Sequence, residues 1–212
     1  MQLNEAYKHF SRAYDDRDDT EIPLMQKLCT FSDKSVLEIT PEKSNVHKWL
    51  AKKYTKYVEI RPKDLKSEQR EFDVVFTRWT MHLFDNLEEA VTKMCSLAKE
   101  CVLVVLPSES GDLTDLKMIK DKETTPRRRK RVFEIEQAMK KTGFHTTSIP
   151  SLLTFKFRSF DEAMEVLMAT EFQNSISHQE LQEVRQFLEK RAKKTKSVEI
   201  TQGAMFIAGS KR

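Results

Sequence analysis

A histidine and two large side chains follow one of the most apolar segments of the sequence. The segment FDVVFT (72–77) leads directly into Arg78 and Trp79, and His82 comes three residues later. Imidazole titrates near neutral pH, so His82 could act as a general base, with Arg78 and Trp79 facing a substrate. The alternative is structural, because a single histidine at a helix start more often contributes to packing, and Trp79 could belong to the core. The sequence leaves both interpretations open.

A second chemical signal is the run PRRRKR, which has five consecutive cations at 127–131. Such a run could neutralise phosphates of a nucleic acid or bind an acidic protein, which makes Arg127, Arg128 and Arg129 candidate partner-binding residues. The alternative is a solvated helix face, because two glutamates follow within the next five residues. No aromatic residue interleaves with the run, and no RNA-binding motif is recognised.

The elements that position these residues are strands alternating with helices. Four apolar segments are predicted as strands, namely 35–40, 55–60, 72–77 and 101–107, followed by an extended stretch at 144–157 and a last strand at 204–210. The third and fourth are apolar on both faces, which is typical of central strands in a parallel sheet. The pattern therefore predicts an α/β fold with a mostly parallel sheet and helices on both of its faces.

The helices are predicted from apolar periodicity and from capping signals. The predicted helices are 2–14, a helix that Pro23 starts after a polar break at 15–21, 43–53, 87–97, 125–141, 160–170 and 179–194. The whole chain is expected to form one domain, 1–212. It would have an N-terminal helical segment at 1–30 and a helical insert or lid at 159–196.

Composition sets further bounds. The 212 residues carry a net charge of +4, and 33% are charged, so the basic excess is too mild to imply a nucleic-acid partner by itself. No apolar run is long enough to span a membrane, and no export signal is recognised, so a cytoplasmic location is expected. The three cysteines lack metal-ligand spacing, which favours buried, reduced thiols and argues against a metal site or a disulfide framework.

Several of these segments resemble class I S-adenosylmethionine (SAM)-dependent methyltransferases, especially the small-molecule branch of the ubiquinone and biotin pathways. The closest match is EFDVVFTRWTMHLFDNLEEAV (71–91), which resembles that family's fourth strand and the helix after it. The shorter matches are HFSRAYDD (9–16), VLEI (36–39), GFHTTSI (143–149) and AMFIAGSKR (204–212). The resemblance implies a Rossmann-like fold, SAM as cofactor and a small-molecule acceptor.

The resemblance also implies roles for particular residues. The cofactor-binding candidates are Tyr14, Glu38, Thr40, Glu59, Asp64 and Thr77. Two of these acids are alternatives: if 55–60 is the family's second strand, Glu59 would bind the ribose, and if it is the third strand, Asp64 would lie beside the adenine. Arg78 and Trp79 would face the substrate, and His82 is the catalytic candidate.

The loop after the first strand departs from the family. The family places a glycine-rich run such as GxGxG there, because side chains would collide with the cofactor. This sequence has Pro41, Glu42 and Lys43 instead, and the glycines before the family's fifth strand are replaced by Ala-Lys-Glu at 98–100. Proline also removes a backbone donor. The sequence therefore predicts a degenerate cofactor loop.

Segment length gives an independent departure. Glu38 and Phe72 are 34 positions apart, whereas two βα steps of ordinary length would need about 50. One βα step is therefore predicted to be shortened or missing.

Three functions follow as hypotheses. The first is a binding or regulatory homologue with weak or no methyl transfer. The second is an active SAM-dependent methyltransferase, and the third is a basic adaptor for RNA or an acidic protein. The oligomeric state stays open.

Overall fold

The computed structural model describes residues 18–41, 44, 46–172, 175–192 and 197–211. The helices are α1 Asp18–Leu28, α2 His47–Leu50, α3 Leu87–Leu97, α4 Asp112–Lys120, α5 Thr124–Lys141, α6 Phe160–Thr170 and α7 His178–Glu189. The strands are β1 Ser35–Ile39, β2 Lys56–Ile60, β3 Phe72–Arg78, β4 Ala98–Pro107, β5 His145–Phe157 and β6 Val198–Ser210. Two 3-10 turns lie at Pro62–Ser67 and Met81–Leu83.

The six strands form one sheet in the order β2-β1-β3-β4-β6-β5. The pairs β1–β2, β1–β3 and β3–β4 are parallel, and β6 pairs antiparallel with β4. The predicted α/β class with a mostly parallel sheet is confirmed. The predicted helical insert before the last strand is also present, because α6 and α7 lie between β5 and β6.

The shortened βα step is confirmed in the segment between β1 and β3. Among the described residues of that segment, β2 is the single strand, and it pairs directly with β1. This is the position of a second strand, which answers the question that the sequence left open about 55–60. From β2 the chain returns to β3 through the 3-10 turn Pro62–Ser67 without a further strand and α-helix.

The chain forms two compact units, and α1, α5, β5 and β6 each contribute residues to both. One unit comprises Glu21–Pro107, Arg129–Ser151 and Ala204–Arg212, and the other comprises Met1–Thr20, Ser108–Arg128 and Leu152–Gly203. They are called the strand-tip unit and the insert unit below. The assignment of 1–212 to a single domain stays a prediction.

The strand-tip unit has apolar side chains on both faces of its sheet. On one face, Leu37 and Val75 belong to a core cluster with residues of α3 and α5 such as Met94 and Ile135. On the other face, the rings of Phe31 and Phe76 pack edge to face with centroids 5.7 Å apart. Burial of both faces explains why the central parts of these strands, Val74–Phe76 of β3 and Cys101–Leu106 of β4, are apolar at every position.

The expectation of reduced thiols is wrong for two of the three cysteines. Cys29 and Cys101 form a disulfide across 72 positions of sequence, and both are buried. The chain just after α1 lies on the sheet beside β4, which brings the two residues together, and sequence spacing gives no sign of such a long-range contact. Cys95 is free and buried, as expected.

The insert unit is held together by apolar packing and by ion pairs, among them those of Lys117 with Glu171 and of Arg191 with Asp112. Helix α7 contacts both α4 and α6, and Leu116, Leu167 and Leu188 are fully buried. Arg191 donates two hydrogen bonds of 2.6 and 2.8 Å to one oxygen of Asp112, and the backbone of Thr201 donates to the other oxygen at 2.9 Å.

Several predicted element boundaries are corrected. Pro23 lies inside α1 rather than at its start, because the acidic segment predicted as a break supplies the first turn of a helix, where carboxylates are favoured. The helix expected at 43–53 is reduced to α2. Helix α4 was not predicted, and β6 begins at Val198. The predicted helix at 2–14 lies outside the described residues.

Candidate functional site at the carboxyl ends of β1, β2 and β3

The site is built on neighbouring parallel strands that end at one edge of the sheet. Glu38 of β1 is directly opposite Glu59 of β2, and Val36 is opposite Tyr57. Side chains alternate along a strand, and paired residues in a sheet point the same way, so Glu38, Tyr57 and Glu59 share one face. Ligands of open α/β sheets bind beyond such strand ends.

Glu38 is already engaged by the protein itself. Its side chain is buried, with 2% of the residue exposed, and the hydroxyl of Tyr57 donates a hydrogen bond to its Oε2. Burial raises the pKa of Glu38, against the opposing effects of the Tyr57 hydrogen bond and of the positive charge on Arg78. Burial next to this carboxylate also raises the pKa of Tyr57.

The raised pKa of Glu38 makes a prediction about Glu38→Gln. A carboxyl group whose pKa is raised on folding stabilises the protein most at low pH, and it loses that contribution as the pH rises through and above its ordinary range near pH 4. Glutamine keeps an acceptor for Tyr57 without a charge to bury. We therefore expect the stability of the variant relative to wild type to improve from pH 4 to pH 8, measured by urea unfolding. A constant difference over this range would contradict the assignment.

Ser44, in the loop after β1, contacts the second carboxylate. The backbone amide of Ser44 donates to Oε1 of Glu59 at 3.3 Å, and the hydroxyl of Ser44 accepts from the amide of Val46 at 3.2 Å. The amide of Thr40 donates to the carbonyl of Ile60 at 2.9 Å. Glu42, Lys43 and Asn45 lie outside the described residues. The loop thus directs one of its amides to the protein's own acid.

Three rings lie beside the two acids. The ring centroid of Tyr57 is 4.8 Å from that of His47 and 5.2 Å from that of Tyr54. The hydroxyl of Tyr54 donates to the carbonyl of His47, and Nδ1 of His47 is 3.9 Å from Oε1 of Glu59. Tyr57 and His47 thus lie on the face that Glu38 and Glu59 share, each beside one of the two acids.

Arg78 and Trp79 contact a buried carboxylate of α1. Nη1 of Arg78 and Nε1 of Trp79 each donate to Oε1 of Glu21 at 3.2 Å, and Glu21 is 0% exposed. Trp79 has a φ of 59°, which is unusual for a non-glycine residue. Its amide is held by the carbonyl of Val105 at 2.8 Å. The two side chains predicted to face a substrate are therefore part of an internal network.

The remaining candidates are dispersed. Thr77 is buried and donates to the carbonyl of Ile39 at 2.8 Å, so its one proton is used between β1 and β3. Asp64 lies in the 3-10 turn and accepts from Nε of Arg61 at 3.1 Å. His82 is exposed in the turn Met81–Leu83. Tyr14 lies outside the described residues.

The basic run is divided between exposed and buried side chains. Arg127 is exposed and pairs with Asp121, and Arg129 is exposed. Arg128 is only 8% exposed, and its Nη1 donates to the carbonyl of Ser108 at 2.8 Å and to the hydroxyl of Thr114. Arg128 is therefore placed to stabilise the loop after β4 rather than to bind a partner at the surface.

This difference predicts opposite outcomes for two adjacent arginines. Arg128→Ala leaves the buried carbonyl of Ser108 and the buried hydroxyl of Thr114 without this donor, so we expect a loss of about 2–3 kcal/mol in the free energy of unfolding. Arg127→Ala removes an exposed ion pair and should cost less than about 1 kcal/mol. Urea unfolding of both variants is the measurement, and equal losses would contradict the assignment.

A groove of about 550 Å³ lies on the other face of the strand-tip unit. It lies between the 3-10 turn Pro62–Ser67 and α3, and its lining includes Leu65, Phe84 and Ala90. In the part of the chain that the structure describes, no three His, Cys, Asp or Glu side chains are grouped to hold a metal ion. The described helices include none that is both long and apolar enough to cross a membrane.

The fold matches solved methyltransferases at low sequence identity. The YcgJ protein of Bacillus subtilis is 12% identical and has a TM-score of 0.55, with 92% of this chain and 99% of that chain covered. Magnesium protoporphyrin IX methyltransferase of Synechocystis, solved with bound S-adenosylhomocysteine, is 9% identical with a TM-score of 0.52, covering 97% and 86%. The chain thus has the fold of class I SAM-dependent methyltransferases.

A third match, phosphoethanolamine N-methyltransferase 2 of Haemonchus contortus in complex with SAM, is 13% identical with a TM-score of 0.50. The alignment covers all of this chain but 58% of that one. No protein-family model matches the sequence, and no curated protein matches it either.

The sequence analysis did not predict Tyr57 and Glu21, the two residues that form hydrogen bonds with the predicted site residues. Tyr57 could have been found, because it lies two positions before Glu59 in a strand and must share its face. Glu21 could not, since it was placed in a polar break, and its contacts with Arg78 and Trp79 span 57 and 58 positions.

Proposed function

We propose that this chain is a methyltransferase-fold protein whose strand-tip site is closed to SAM by its own side chains, and that it acts by binding rather than by methyl transfer. The observation that carries the proposal is the hydrogen bond from Tyr57 to the buried carboxylate of Glu38. Glu38 is the acid that the resemblance to the family assigns to the cofactor.

A cofactor at this edge of the sheet would have to displace hydrogen bonds that the protein makes within itself. A hydrogen bond to a charged group contributes about 1.5–3 kcal/mol. If a cofactor had to replace Tyr57 as the donor to Glu38, its affinity would therefore fall roughly ten- to a hundredfold. Glu59 would also have to release the amide of Ser44. The donor set at this edge therefore does not fit SAM as it stands.

The ligands to test are those that the solved neighbours contain. S-adenosylhomocysteine is bound in the Synechocystis enzyme and SAM in the Haemonchus enzyme. Calorimetric titration of the wild-type chain with either compound is expected to give no binding tighter than about 100 μM, an affinity of roughly −5.5 kcal/mol. Tyr57→Phe serves as the matched variant, because it removes the hydroxyl and keeps the ring.

Micromolar binding to the wild-type chain that is lost in Glu38→Ala would overturn the proposal and favour an active methyltransferase with a small-molecule acceptor. In that case catalysis would depend on holding the methyl group in line with the acceptor.

A further inference from the structure

An exposed tryptophan lies among lysines in the segment that leads into β2. The stretch HKWLAKKYTKY (47–57) contains four lysines, one tryptophan and two tyrosines, and no acidic residue. Trp49 is 62% exposed, and the four lysines are exposed. We define the Trp49 surface as Lys48, Trp49, Lys52 and Lys53. Lys56 does not belong to it, because it precedes Tyr57 in β2 and its side chain points to the opposite face of the sheet, toward the ring of Phe72. Tryptophan is highly buried on average, and here the exposed indole lies in a segment rich in lysine.

The backbone that carries Trp49 is fixed. Nε2 of Gln26 donates to the carbonyls of Trp49 and Leu50 at 3.1 and 2.9 Å. Leu50 and Val46 are buried, with 2% and 3% exposed. Because these two apolar residues anchor α2, the indole is held outward on a preformed base, and a ligand that stacks on it pays little ordering cost.

The positive charge of this surface is only weakly compensated. Lys53 is 3.5 Å from Asp33, but both side chains are mostly exposed, at 80% and 70%. Such exposed pairs contribute little. The segment therefore places three exposed lysines, Lys48, Lys52 and Lys53, within four positions of the exposed indole.

We propose that the Trp49 surface binds single-stranded nucleic acid, with a base stacked on the indole and phosphates contacted by the lysines. This combination of an aromatic platform with a cationic track is how sequence-tolerant binding of single strands works. A lipid surface fits less well, because one exposed apolar side chain on a four-residue helix gives little to bury. An acidic protein is the alternative that the comparison with polyglutamate below tests. The proposal does not depend on whether SAM binds.

The test uses fluorescence anisotropy of the full chain with labelled 20-nucleotide oligouridylate and oligothymidylate between 50 and 200 mM KCl. We expect Trp49→Ala to weaken binding about fivefold or more without changing the salt dependence. Neutralising Lys48, Lys52 and Lys53 together with glutamine should lower the slope of log affinity against log salt by about 2. The matched control neutralises three exposed lysines elsewhere, Lys122, Lys140 and Lys190, and should leave the affinity within about twofold.

The proposal is overturned by absence of binding at 50 mM KCl, or by full affinity in Trp49→Ala. It is also overturned if polyglutamate or phosphatidylserine vesicles bind as well as the oligonucleotides and depend on the same residues. Loss of binding on neutralising Arg129, Lys130 and Arg131, with the Trp49 surface variants unaffected, would place the activity on the basic run instead. Unchanged melting temperatures would show that the exposed substitutions leave the fold intact.

Discussion

Replacing Glu21 by alanine is expected to lower the free energy of unfolding by about 3–5 kcal/mol, the usual cost of removing one member of a buried ion pair. Glu21 is 0% exposed, and the side chain of Arg78 is 13% exposed. Without the carboxylate, the mostly buried guanidinium of Arg78 loses its ion-pair partner, and the indole of Trp79 loses its acceptor. Urea unfolding followed by circular dichroism measures the loss.

Glu88→Ala is the matched control. Glu88 pairs with Lys141 at 2.6 Å, but both side chains are more than half exposed, so the expected cost is under about 1 kcal/mol. The double variant Glu21→Leu with Arg78→Met should recover most of the loss, because an apolar pair needs no compensation for buried charge. A loss in Glu21→Ala as small as that in Glu88→Ala would show that the Glu21 network contributes little to stability.

Gly203→Ala is expected to cost about 3 kcal/mol, at the upper end of what overpacking costs. A Cβ on Gly203 would lie 2.3 Å from the carbonyl oxygen of Ser110 and 2.1 Å from Oγ of Ser108. The backbone cannot move aside cheaply. The amide of Gly203 donates to that carbonyl at 2.9 Å, and the amide of Ser108 donates to the carbonyl of Gly203 at 2.8 Å.

Gly143→Ala separates steric overlap from a general glycine effect. Gly143 has a φ of 85°, and a Cβ there would meet no atom within 4 Å, so the substitution should cost about 1 kcal/mol through backbone conformation alone. Thermal unfolding of both variants decides the comparison. Equal losses of stability in the two variants would contradict the steric overlap expected at Gly203.

Local sequence patterns were enough to predict most of the sheet and the position of Glu38 at the end of its first strand. Glu38 lies at the end of a short apolar strand, and FDVVFT is apolar on both faces, so both positions follow from periodicity and burial. The shortened step between β1 and β3 follows from counting residues, because a strand and a helix need a minimum length. The capping signal at Asn86 also holds, since its side chain accepts from the amide of Glu89 at 3.1 Å.

The rest depends on contacts between residues far apart in the chain. The partner of Arg78 is 57 positions away in α1, and the disulfide between Cys29 and Cys101 spans 72. No local pattern encodes which element packs over which strand. The burial of Arg128 could not be predicted for a related reason. A cation in a run of five is expected to be solvated unless it is known which face of the helix is buried.

The most direct test of the proposal that the strand-tip site is closed to SAM is a crystal structure of the full chain grown with millimolar S-adenosylhomocysteine. We expect no ligand at the ends of β1 and β2, with the hydroxyl of Tyr57 bonded to Glu38 and the amide of Ser44 bonded to Glu59. An adenosyl group seated between Glu38 and Glu59, with Tyr57 moved aside, would contradict the account.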